Sequence, residues 1–175
     1  MTGTPLKKTP AAMGRDAFVR AYGGVYEHSP WIAEAVFVEA PNADTVEGLH
    51  AVMQVAVLAA PHDRLLALIQ AHPDLAVAPA ELSNLTAASI SEQTGAGLNQ
   101  CTPEEFAAFR QLNADYRSKF GFPFIVAVKG LTRGQILAAF RARIQNTPEA
   151  EFNAALEEIH KIAKFRIIAL QETLA

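Results

Sequence analysis

Apolar residues along this chain recur mainly at three- and four-residue spacings, the period of a helix with one buried face. With its start and stop signals the pattern predicts about eight helices, roughly at 14–26, 30–39, 45–59, 62–71, 86–95, 103–119, 133–145 and 148–173. Ser29 before Pro30 reads as an N-cap with proline at the first helical position. Asp44 with Glu47 resembles a capping box, and Thr102-Pro103-Glu104-Glu105 joins cap, proline and capping glutamate. Thr132 with Gln135, and Thr147 with Pro148, open two more helices.

Two stretches break the helical pattern. His72-Pro73 ends a helix, because the residue before proline is pushed out of the α region. Phe120-Gly121-Phe122-Pro123-Phe124-Ile125-Val126-Ala127-Val128 has glycine and proline breakers followed by β-branched residues, so 121–128 is expected to be extended and buried. A buried extended segment among helices has peptide groups that no sheet pairs. Neighbouring side chains or a bound polar ligand must then serve them.

Polar residues inside apolar faces mark candidate chemistry. On the last helix Phe152, Leu156, Ile159, Ala163 and Leu170 fall within about 40° of one direction, and Arg166 lies among them. A buried guanidinium needs a partner, either a structural carboxylate or an anionic ligand. Asn113 shares a face with Phe106, Phe109, Tyr116 and Phe120, a position suited to tying down the adjacent extended segment. Ser89, Glu92 and Gln93 stand at i, i+3 and i+4, so three polar groups point one way. His72, at a helix end before proline, can present its ring into a cleft.

Composition narrows the class. The chain has 175 residues, half of them hydrophobic, 8% aromatic and 19% charged, and alanine supplies about a fifth. An all-α, single-domain bundle over 13–175 is expected, behind a flexible N-terminal leader at 1–12. The net charge of −3 and the lack of a basic cluster beyond Lys7-Lys8 argue against nucleic-acid binding. Apolar runs such as Val55–Ala60 are too short to span a bilayer, and the N-terminus lacks the apolar run of a secretory signal. The single cysteine, Cys101, excludes an internal disulfide, fits a reducing cytoplasm and lies in no protease-type signature. The five histidines show no HxxxH or HExxH spacing, so no metal site is expected.

Ser29-Pro30-Trp31-Ile32-Ala33-Glu34, Ala71-His72-Pro73-Asp74-Leu75-Ala76, Ser89-Ile90-Ser91-Glu92-Gln93 with Ala96-Gly97-Leu98, and Leu112-Asn113 through Tyr116 to Phe120–Ile125 occur in that order. Together they resemble the OHCU decarboxylases, which act on 2-oxo-4-hydroxy-4-carboxy-5-ureidoimidazoline in urate degradation. The likeness extends over about residues 15 to 172. It implies an all-helical, cofactor-free, often dimeric enzyme that yields (S)-allantoin. By position, His72, Glu92 and Arg166 match the family's catalytic residues. Ser89 and Gln93 match substrate-contacting positions. Pro73 and Phe124, Ile125, Val126, Ala127 and Val128 match segments lining the substrate, the latter largely through backbone.

Two other readings compete. His72-Pro73-Asp74 is also the tripeptide of J-domain co-chaperones, but the preceding segment Asp63–Ala71 has one basic residue and Leu75 follows. A non-catalytic helical interaction module, its buried polar residues merely fixing packing, is the remaining alternative. The set of expectations is therefore a cytoplasmic carboxy-lyase, probed by a small-molecule substrate, with no nucleic-acid or membrane partner, no cofactor, and a homodimeric assembly.

Overall fold

The structure, a computed structural model, describes residues 3–174. It is all-α, as expected. Among the described residues there are nine α-helices and no strand, only an isolated bridge between Pro5 and Thr45. The helices are α1 (Pro10–Met13), α2 (Arg15–Tyr22), α3 (Pro30–Glu39), α4 (Val46–Leu58), α5 (His62–Gln70), α6 (Ala87–Gly95), α7 (Pro103–Phe120), α8 (Arg133–Arg143) and α9 (Pro148–Thr173). Two 3-10 segments, Pro79–Asn84 and Leu98–Gln100, flank α6 and were not anticipated. No single described helix is long and apolar enough to cross a membrane.

Threonines start most of these helices. Thr45, Thr86, Thr102 and Thr132 each accept a hydrogen bond from the backbone N–H three residues on, and Thr102–Glu105 and Thr132–Gln135 close full capping boxes. The Asp44–Glu47 box is replaced by a Thr45 cap. Its carboxylate is engaged elsewhere, since Glu47 Oε2 accepts from the Thr4 N–H at 2.8 Å. Ser29 occupies the N-cap of α3 without a side-chain bond. At the far end of α7, Gly121 takes the left-handed conformation (φ 76°) that closes the helix and releases the chain into its extended stretch.

The chain gathers into two compact units. One runs to Leu68 and resumes at His160; the other spans Ile69–Ile159. In the first, Phe18 stacks on Tyr22 with ring centroids 4.8 Å apart, beside fully buried Val36 of α3 and Leu49, Met53 and Val57 of α4. The half-buried Trp31 lies beneath the Arg64 guanidinium, 4.1 Å from its centroid. Residues 3–12, expected as a flexible leader, are tethered: Leu6 N–H donates to Asp44 C=O, Val46 N–H donates to Thr4 C=O, and Lys7 donates to Leu174 C=O.

The second unit is built around Tyr116 of α7. Its ring has Phe120, Phe122, Phe124 and Phe140 as neighbours at 4.5–6.0 Å. Phe124 stacks on Phe140 of α8 at 3.9 Å. Edge-on and stacked contacts of this kind add about 0.5–1.5 kcal/mol per pair beyond area burial. They hold 122–125 buried without any strand partner; of the segment 121–128 expected to be buried, Gly121 is exposed and Val126 and Ala127 are half-buried.

Candidate active site

The loop that leaves α5 carries His72. This residue is 6% exposed, and its N–H donates to Ile69 C=O at 3.2 Å, closing the end of the helix. Pro73 follows, and the loop then turns through Leu75 and Ala76, both buried. Ala76 has φ 51°, a left-handed conformation that costs a non-glycine residue energy and persists only when its surroundings hold it.

Three side chains do the holding. From α6, Gln93 accepts from the Ala76 N–H and donates to the Asp74 C=O, both at 3.0 Å. From α7, Asn113 donates to the Leu75 C=O at 2.9 Å. Arg117, one turn further along α7, grips the Asp74 carboxylate at 2.9 and 3.0 Å. Asn113 thus ties down the His72 loop rather than the extended segment beside its own helix. Its Oδ1 is buried without a hydrogen-bond partner. The Gln93 amide uses one N–H and one oxygen lone pair on the loop, which leaves a second of each.

Ser89, Glu92 and Gln93 share α6, as their spacing predicts. Ser89 is 4% exposed and its hydroxyl accepts from Thr86 Oγ1 at 3.1 Å. Glu92 is half-buried. So the two hydrogen bonds from Gln93 fasten the helix bearing Ser89 and Glu92 to the loop bearing His72 and Pro73.

The segment Phe124–Val128 belongs to the same unit, and side chains serve part of its backbone. Arg143 donates to the Ile125 C=O at 2.5 Å, and Glu158 accepts from the Ala127 N–H at 2.8 Å. The Val128 C=O accepts from Leu131 N–H. Behind Ile125, the Arg143 guanidinium lies over the Phe124 ring and bonds Glu151 through two nitrogens. Glu151 is fully buried and also accepts from the Tyr116 hydroxyl and from Asn146. Burial and the bond to Glu151 push the Tyr116 hydroxyl pKa up, so it stays protonated and donating.

Arg166 belongs to the other unit. Its Nη1 donates to Glu27 Oε2 at 2.6 Å and reaches the Gly24 C=O at 3.3 Å; the two side chains are 8% and 1% exposed. The buried partner that its inward position demanded is therefore a carboxylate of the chain itself. A buried pair of this kind is costly to break from one side, by about 3–5 kcal/mol.

Sequence reasoning missed Glu27, Arg117, Arg143, Glu151 and Glu158. Glu27 sits in a loop, where periodicity is silent. Glu151 and Glu158 lie with Ala155 and Ile162 along a second face of α9, which a helical wheel displays once that helix is read as buried on more than one side. Among the described residues no group of three or more His, Cys, Asp or Glu side chains is arranged to hold a metal ion.

Comparison with known proteins identifies the family of the chain and its fold. A sequence model of the OHCU decarboxylase family matches residues 11–168. A 2-oxo-4-hydroxy-4-carboxy-5-ureidoimidazoline decarboxylase of Haloferax volcanii is 40% identical over 152 residues, covering 87% of this chain and 88% of that protein. A crystal structure of (S)-allantoin synthase superposes with a TM-score of 0.74 at 35% identity, over 91% of this chain and 52% of that one. A second, of OHCU decarboxylase in the presence of (S)-allantoin, covers 87% of this chain and 98% of that one with a TM-score of 0.66; at 21% identity it speaks for the fold alone. With the family match running through the His72 loop, α6, the Phe124–Val128 segment and Arg166, the chain belongs to the OHCU decarboxylase family.

Proposed function

We propose that the chain converts OHCU to (S)-allantoin and CO2 without a cofactor, acting over 13–175 as one domain, as a homodimer in the cytoplasm. Its family makes it a carboxy-lyase of urate degradation. The observation that carries the assignment is the clamp of Gln93 on the loop of His72, which joins the polar residues of two family motifs through their backbone and side chains.

In the proposed reaction, the bond from the ring carbon to the carboxylate breaks and CO2 leaves. The electron pair moves toward the neighbouring C=N bond of the substrate, which serves as its own electron sink. A proton delivered to one face of the ring then sets the S configuration. His72, an imidazole in a mostly dry loop, handles that proton. Glu92 orients His72 or the substrate hydroxyl. Ser89, the unused N–H and lone pair of Gln93, Pro73 and the Phe124–Val128 backbone hold the ring and ureido amides. Arg166, its charge balanced by Glu27, is the third residue that the family resemblance assigns to catalysis. Fixed positioning of this kind supplies several kcal/mol of barrier reduction.

His72→Ala tests the proposal. The variant should remain folded while decarboxylation of freshly generated OHCU falls to near the spontaneous rate. Because spontaneous decay gives racemic product, the optical purity of the allantoin is the readout. Continued production of (S)-allantoin at the wild-type rate by the variant would sink the assignment.

A further inference from the structure

The half-buried charges Arg143 and Glu158 beside Phe124–Val128 are assigned to nothing by the reaction above, yet they act on two successive peptide units. Arg143 takes the Ile125 C=O, and Glu158 takes the Ala127 N–H. No described peptide bond is cis. In a trans peptide the C=O and the N–H point in opposite directions. With the Ile125 C=O turned to Arg143, the Val126 N–H faces the other way. With the Ala127 N–H turned to Glu158, the Val126 C=O also faces away from its anchor.

The anchors are themselves well fixed. Two nitrogens of Arg143 are held by Glu151, which is fully buried and is held in turn by Tyr116 and Asn146. A guanidinium locked as a fork has little freedom to follow a shifting carbonyl. Three elements, α7, α8 and α9, thereby converge on the segment Phe124–Val128.

We infer that Arg143 and Glu158 are positioning residues: by gripping the peptides on either side, they aim the N–H and C=O of Val126 at the amide groups of the substrate. The inference rests on the decarboxylase reading, in which this backbone holds OHCU. A ureido group and a ring lactam present donors and acceptors side by side, so a single residue offering both matches them. A change of direction in either peptide weakens binding without touching the group that moves the proton.

Glu158→Ala, Glu158→Gln and the triple variant Y116F/R143M/E151M test this in the full chain. The triple variant removes the buried charge pair with its phenol, because replacing a whole buried ion pair with apolar groups preserves folding better than removing one partner. With freshly generated OHCU, E158A should raise KM about tenfold while kcat stays near wild type. E158Q, whose amide oxygen still accepts from Ala127, should bring KM back. The triple variant should raise KM by a similar factor. Exchange of the Ala127 amide, followed by NMR, should accelerate in E158A and not in E158Q.

An unchanged KM in folded E158A and in the folded triple variant would overturn the inference, as would an E158Q as impaired as E158A. Failure of the functional reading is seen separately, as a wild-type chain that makes no (S)-allantoin. In that event an Ala127 amide whose exchange quickens only in E158A still supports the grip on the segment, and unchanged exchange overturns it.

Discussion

His160 shows what a single buried ring does to the chain's response to acid. It is 7% exposed, its Nδ1 lies 2.9 Å from the Tyr26 hydroxyl, and its Nε2 is buried with no hydrogen-bond partner. His50 reaches the carbonyl of His160 at 2.7 Å and meets its ring edge-on. Burial, helped by the neighbouring His50, lowers the His160 pKa from 6.5 to about 4. His50 is lowered too, chiefly by burial, with Lys164 beside it adding to the effect and Glu47 opposing it. Both rings resist protonation in the fold, whereas the unfolded chain protonates them near pH 6.5. Stability is therefore complete above about pH 6.5 and falls as the pH drops toward 4, by up to about 3 kcal/mol from His160. Urea midpoints measured across that range should fall, and His160→Gln should flatten the fall; an unaltered slope in that variant would refute this assignment. Such a site leaves little trace in a sequence, because Tyr26, His50 and His160 are far apart along the chain. Arg166 was legible, since a charge in an apolar stripe stands out from its own helix. Its partner Glu27 was not, because only the folded chain brings the loop to it.

Helices were the most readable level. Every helix from α2 to α9 falls where the periodicity puts it, because capping threonines and prolines act within a few residues of themselves. The start of α4 shows the limit. Asp44 is a good cap by composition, but its carbonyl pairs with Leu6, in an extended contact that spans nearly forty residues by sequence number. The next residue, Thr45, caps instead. The non-helical stretch with its buried core at 122–125 was likewise legible from its breakers and apolar side chains, while the side chains that serve its backbone come from α8 and α9 and were not. At this scale Thr102 is the site to perturb. Thr102→Ala removes the bond to the Glu105 N–H, though Glu105 keeps its contact with Arg133 at 2.9 Å. The loss should be about 1 kcal/mol, seen as a Tm lower by roughly 2–4 °C. Thr102→Ser should recover most of it. A Tm unchanged by the alanine variant would mean that the box contributes nothing.

At the scale of the whole molecule the leader is the least expected finding. Its composition reads as frayed, yet Thr4, Leu6 and Lys7 hydrogen-bond residues 44–47 and the C-terminal turn. Deleting residues 1–8 removes these bonds and no residue assigned to the substrate. The truncated chain should lose a few degrees of Tm, at roughly 2–4 °C per kcal/mol, and keep the kcat and KM of the intact chain. A truncation that leaves Tm untouched would show the tether to be energetically empty. Modest net charge and a half-apolar composition told little about activity, and only the joint order of four weak motifs carried the reading to a family.

The Trp31–Arg64 contact has an optical consequence. Trp31 is the sole tryptophan of the chain, and both residues lie in the unit that ends at Leu68 and resumes at His160. Indole emission therefore watches that unit alone, while Tyr116 and its ring of phenylalanines are dark to it. Far-ultraviolet dichroism watches the helices of both. The chain thus carries a built-in label on half of itself, and overlaying the two signals during denaturation reveals whether its units melt together or in turn.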